Sequence, residues 1–144
     1  MAARIYVVDT SALIEYLFGT ELGKPLLRLL EDRRNLFYIA LPVLAELYYV
    51  VTRVADEDVA RRAISHIVES DMVVEAGDVD LMRRVGALKV RLAVAIMDCF
   101  TLALARRTGG VALFRGEREL EARREAAKGE GIEVAFLEEV RGIK

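Results

Sequence analysis

Cysteine and histidine occur once each in the 144 residues, as Cys99 and His66. That excludes an internal disulfide, a cysteine-rich zinc site and any paired-histidine metal motif. Tryptophan and glutamine are absent, and Ser, Thr, Asn and Gln together fill only nine positions. Such a chain has little from which to build a disordered linker or a low-complexity tail. Long apolar runs are missing too. The fourteen residues from Leu92 to Ala105 hold a single charge, Asp98, and fall short of the ~20 residues that a membrane span needs. The opening stretch reaches a carboxylate, Asp9, after four strand-like residues, without the apolar segment of ~7–15 residues found in secretory leaders. A soluble, cytoplasmic protein is expected, and any catalysis it performs has to rest on carboxylates.

What remains is largely apolar (54%) or charged (31%), in a length suited to one domain over residues 1–144. The net charge of −2 conceals 21 basic residues, seventeen of them arginine, so the total neither announces nor refuses nucleic-acid binding. Short β-branched or aromatic runs alternate with helical patterns. Ile5–Val8, Phe37–Leu41, Met72–Val74, Val111–Phe114 and Glu133–Phe136 read as strands, each separated from the next by one or two helices. Connections of that length are crossovers, not hairpins, which predicts an α/β fold: a doubly wound parallel sheet of about five strands flanked by helices. Helices are expected from Ala12, Pro25, Pro42, Asp56 and Asp78, with Asp98 capping one that stops at Gly109-Gly110 and a charged helix after Phe114.

In open parallel sheets ligands bind beyond the carboxyl ends of the strands, at the switch in strand order. Asp9 directly follows the first strand and Glu117 closely follows the fourth, so both belong to one rim. Asp98 is the lone charge of an apolar stretch, where an ionised carboxylate is costly unless something compensates it. Glu46 borders the apolar face formed by Val43, Leu47, Val50 and Val54. Each acid also has an ordinary reading: helix caps at Asp9 and Asp98, a solvated helix acid at Glu46. Taken as a cluster without histidine or thiolate, they match the needs of a hard cation such as Mg²⁺ or Mn²⁺, for which metal-assisted phosphoryl hydrolysis is the natural chemistry. His66 and Cys99 read as structural residues.

Four stretches in register resemble the PIN-domain nucleases, especially VapC-type toxins of prokaryotic toxin–antitoxin pairs. They are Val7-Val8-Asp9-Thr10-Ser11-Ala12-Leu13-Ile14, Pro42-Val43-Leu44-Ala45-Glu46-Leu47, Ile96-Met97-Asp98 and Gly116-Glu117-Arg118-Glu119-Leu120. The resemblance covers nearly the whole chain. It implies an endoribonuclease whose acidic metal site, for Mg or Mn, is Asp9, Glu46, Asp98 and Glu117, with Ser11 a supporting hydroxyl. It also implies a homodimer and a VapB-like antitoxin that blocks the acidic pocket. Two positions depart from the family's late Thr-x-Asp: Arg115 stands at the Thr and Glu117 at the Asp.

RNA approaching such a pocket needs cations nearby. Arg115 and Arg118 flank Glu117 and are the first candidates. Arg83, Arg84, Lys89 and Arg91 come next, or serve only as a solvated face. Tyr38, Tyr48 and Tyr49 add to an apolar excess that favours association. The competing reading keeps the fold and drops turnover, leaving a catalytically silent RNA- or partner-binding module. A phosphorylation receiver fits poorly, because Thr10-Ser11 follows Asp9 and no lysine lies between Lys89 and Lys128.

Overall fold

The computed structural model describes residues 4–142; Met1–Ala3, read above for a leader, lie outside the described residues. The elements run β1 (Ile5–Val8), α1 (Thr10–Leu17), α2 (Lys24–Glu31), β2 (Leu36–Ala40), α3 (Leu41–Val54), α4 (Glu57–Glu69) and β3 (Val73–Glu75). Then follow α5 (Val79–Leu92), α6 (Ile96–Thr108), β4 (Val111–Phe114), α7 (Arg118–Ala122), α8 (Arg124–Gly129) and β5 (Glu133–Phe136). All four strand pairings are parallel, in the order β3-β2-β1-β4-β5. The chain therefore steps outward from β1 to β3, crosses over, and steps outward again through β4 and β5. The switch in direction falls between β1 and β4, so the crevice beyond the ends of those two strands is where such a sheet takes a ligand.

β1 is central because it is short, β-branched and apolar, with Val7 and Val8 fully buried between its two neighbours. Tyr6 stands opposite Phe37 on one side and Val111 on the other, and its ring stacks on that of Phe37 at 5.7 Å. Gly110 admits β4 to this position: a Cβ there would sit 2.7 Å from the Ile5 side chain and 2.8 Å from its carbonyl oxygen. α6 crosses the sheet and is buried nearly all round, through Cys99, Thr101, Leu102, Ala103, Leu104 and Ala105.

Several local expectations differ from the structure: the third strand is Val73–Glu75 and not Met72–Val74, and the first helix begins at Thr10, because Asp9 and not Ser11 caps it. The second strand begins at Leu36 and ends at Ala40, because Leu41 and Pro42 already belong to α3. Asp98 does not cap α6; Ala95 holds that position and Asp98 lies in the first turn. The charged helix after β4 is two short ones, broken at Arg123, where the Arg124 guanidinium turns aside to the Val134 carbonyl (2.8 Å) and to Glu139.

Candidate active site

Asp9 carries β1 one step past its last strand residue, its N–H donating to the Leu113 carbonyl of β4 at 3.0 Å. Its extended backbone makes it the N-cap of α1, so the cap and the site are the same residue. The residue is 4% exposed. Oδ2 accepts from the Ser11 N–H (3.1 Å) and the Ser11 hydroxyl (3.0 Å), while Oδ1 accepts from the buried Thr101 hydroxyl (3.0 Å). All three donors are neutral. Burial pushes the carboxyl up to about 6, the Ser11 and Thr101 hydrogen bonds oppose that rise, and the field of Glu46 adds to it. Beside it, the Thr10 hydroxyl is buried without a hydrogen-bond partner among the described residues.

Asp98 is half-buried at the start of α6, where the helix dipole favours an acid. Burial, then the fields of Asp9, Glu117, Glu46 and Glu119, nonetheless push its carboxyl up to about 7. Glu46 projects from the second turn of α3 and is half-buried. Glu117 caps α7 by position, though its side chain makes no capping hydrogen bond. Much of it meets solvent, yet partial burial of the carboxylate and the fields of Glu119 and Glu46 raise its pKa. Among the described residues no lysine or arginine pairs with Asp9, Glu46, Asp98 or Glu117. Acids elsewhere on the surface do find such partners, as Asp78 does in Arg107 at 2.9 Å.

The loop from β4 to Glu117 is tied at successive residues. The Arg115 N–H donates to the Ser11 hydroxyl at 3.0 Å, so this one hydroxyl bridges the ends of β1 and β4. The Arg115 guanidinium reaches Glu15 of α1 at 3.3 Å, and Glu15 in turn accepts from the Thr20 hydroxyl at 2.6 Å. The Gly116 N–H donates to Glu138 at 3.0 Å, and a Cβ on Gly116 would press to 2.9 Å of that carboxylate. Arg118 stands exposed on the first residue of α7, without an ion pair among the described residues.

The structure thus gathers Asp9, Glu46, Asp98 and Glu117 into one electrostatic neighbourhood, with Ser11 and Arg115 beside it. Sequence reasoning missed Thr101, Glu15 and Glu119. Thr101 lies one helical turn after Asp98, and its place among apolar neighbours was the available signal. Glu119 follows Glu117 by two residues; Glu15 left no local signal. Hard cations are the species that an uncompensated, oxygen-only set suits. The donor chemistry fits, although among the described residues no three carboxylate, imidazole or thiol groups already enclose a common point.

A parallel sheet ordered 3-2-1-4-5 with acids at its switch point defines the class, and the PIN domain family model matches residues 6–126; the chain belongs to that family. Solved structures with the same fold include the DNA-bound VapBC from Salmonella typhimurium, at TM-score 0.69 and 20% identity over 95% of this chain and 99% of that one. VapC20 of Mycobacterium tuberculosis, described as a toxin that cleaves the sarcin–ricin loop, gives TM-score 0.67 and 20% identity over 81% and 94%. PAE2754 from Pyrobaculum aerophilum gives 0.67 and 19% over 95% and 92%. No curated protein matches the chain by sequence. Among the described residues no helix is long and apolar enough to cross a membrane.

Proposed function

We propose that the chain is a metal-dependent endoribonuclease, the toxin of a toxin–antitoxin pair. One observation carries the reading: acids from four separate elements crowd a single rim, three of them with raised pKa, and no cation among the described residues pairs with them. Natural sequences rarely leave buried charge uncompensated without a use for it. Asp9, Glu46 and Asp98 would hold Mg²⁺ or Mn²⁺, with Glu117 assisting. Such an ion supplies acidification of water and neutralisation of charge on the scissile phosphodiester. The chain's own residues do the positioning. Thr101 and Ser11 fix the two oxygens of Asp9, and Ser11 also holds the Arg115 backbone, so the β4 loop and Asp9 keep one geometry. Glu15 uses only part of the Arg115 donor fork, leaving N–H groups for an RNA phosphate, and Arg118 offers a second guanidinium.

The neighbouring VapBC structures are toxin–antitoxin complexes, which supports a VapB-like antitoxin partner; in our reading it blocks the rim with a basic side chain. A homodimer is part of the same reading. Of the three tyrosines that favoured association, Tyr38 and Tyr48 are half-buried and only Tyr49 is exposed; Leu41 on α3 and Ile96 on α6 are exposed as well. Light scattering that finds only monomer at micromolar concentration defeats the dimer.

The test of catalysis compares wild type with Asp98→Asn on structured RNA, in Mn²⁺ and in chelator. Wild type should cleave only with the ion, and the variant should not cleave at all. Equal cleavage by the two proteins, or cleavage that survives chelation, sinks the proposal. The exposure of Glu117 favours one competitor, an RNA- or partner-binding module without turnover. Wild type that binds RNA yet leaves it intact in Mn²⁺ would establish that instead.

A further inference from the structure

On α5, residues Arg83, Arg84, Ala87, Leu88 and Arg91 recur at three- and four-residue spacing and so share one face of the helix. That face and the C-terminal half of α6 enclose a groove of about 260 Å³, lined also by Ala103 and Arg106. Its floor, buried Leu88 and Ala103 with half-buried Ala87, is small and apolar; its walls are four guanidinium groups. Arg84 pairs with Asp80 at 3.0 Å and Arg91 with Glu130 at 3.2 Å, both partly solvated contacts that a stronger anion can replace. Arg83 and Arg106 have no carboxylate partner among the described residues. The charges of these two, unlike those of Arg84 and Arg91, are left for an anion from outside the described residues to answer.

We propose that this α5–α6 groove is a second RNA contact, in which Arg83, Arg84, Arg91 and Arg106 grip backbone phosphates of the strand whose scissile bond lies at the acidic rim. The inference rests on the reading of the chain as a ribonuclease. Continuity favours RNA over an acidic protein, because α6 joins the two places: Asp98 is in its first turn, and Arg106 follows eight residues later, about 12 Å along the axis at 1.5 Å per residue. Guanidinium forks match phosphate oxygens in pairs, and a sugar can lie on the apolar floor. The division of labour is chemical. An acidic rim repels the polyanion it must process, so cations beyond Arg115 and Arg118 add to the hold on the strand.

The experiment uses the full chain in chelator, with a labelled single-stranded 20-nucleotide RNA and anisotropy read over a series of KCl concentrations. Arg83→Ala/Arg106→Ala should bind about tenfold more weakly at low salt, with the slope of log K against log salt shallower by roughly 1.4, two phosphates at ~0.7 each. Arg83→Lys/Arg106→Lys, which keeps the charges, should recover most of the slope. In Mn²⁺ the alanine variant should lose about tenfold in kcat/KM on the 20-mer while cleaving a dinucleotide, with its one phosphodiester, as well as wild type does. An unchanged affinity and slope overturns the groove, as does an equal loss on the dinucleotide, which would mark a structural role. Tighter binding of polyglutamate than of RNA reassigns it to an acidic protein. RNA binding that depends on both arginines in a protein that cleaves nothing leaves the groove standing and removes the ribonuclease; no RNA binding at all removes both.

Discussion

Asp98 is an acid held where ionisation is expensive, and that has a definite sign in a pH experiment. Its ordinary pKa of 3.8 becomes about 7 in the fold, and that of Asp9 rises from 3.8 to about 6. A carboxyl whose folded pKa is raised contributes stability below its unfolded pKa, and that contribution is lost as pH climbs through the folded value. The metal-free protein should therefore melt at higher temperature at pH 5.5 than at pH 8, and Asp98→Asn should flatten the dependence. The opposing groups, Glu21, Asp32, Asp78, Asp80 and Glu139, have lowered pKa values and withdraw their stability only at more acid pH, outside this window. A wild-type melting temperature that falls steadily from pH 8 to 5.5 in chelator contradicts the assignment. Ser11 makes a second prediction, because its hydroxyl serves Asp9 and the Arg115 N–H together. Ser11→Ala should cost about 1–2 kcal/mol in urea denaturation and Ser11→Thr much less; equal stability of Ser11→Ala and wild type would deny the bridge. At this scale the acids were legible because each sits at a strand end or alone among apolar residues. Glu15 was not, since what gives it meaning, Arg115, lies 100 residues away.

Elements follow from the sequence where a local rule and the global packing agree. Asp56 and Asp78 both cap their helices through hydrogen bonds of 2.8 Å, as the residue types foretell. The rule fails at α6, whose start is set by an all-round apolar surface seeking the sheet and not by the nearest good capping residue. It fails again at α7 and α8, where helix-favouring Glu, Arg and Ala would run on but for the tertiary pull of Val134 and Glu139 on Arg124. The turn between α5 and α6 holds Ala93 at φ 56°, the one non-glycine residue with positive φ among those described. An alanine in that conformation is strained, and Ala93→Gly should relieve about 1 kcal/mol. Because the unfolded glycine is also freer, by about 0.4–1 kcal/mol, the net gain is at most about 0.6 kcal/mol. A fall in the denaturation midpoint would show that the alanine methyl matters more than the backbone.

Across the whole molecule, the proposed metal role makes the four acids a device whose balance reverses with occupancy. Without metal their crowding opposes folding, so Asp9→Asn should melt at or above wild type in chelator. An ion that binds only the native state adds about 2.7 kcal/mol at a hundredfold excess over Kd. At roughly 3 °C per kcal/mol for a chain of this size, wild type should rise by about 8 °C in Mn²⁺ and the variant by far less. A wild type indifferent to millimolar Mn²⁺ would remove the metal from the account.

The central place of β1 has a consequence for how the protein is made. Tyr6 must wait for Val111 to lie opposite it, more than a hundred residues later in translation. A ribosome that has released only the first 110 residues has delivered Asp9, Glu46 and Asp98 but not the strand that closes one flank of β1, nor the loop whose Arg115 N–H completes the Ser11 bridge. Premature termination anywhere before β4 therefore yields a polypeptide with an open sheet edge and an unfinished rim, prey to proteases before it can act on anything. For a protein proposed to destroy RNA, that order of synthesis keeps the half-made chain harmless to the machinery still producing it.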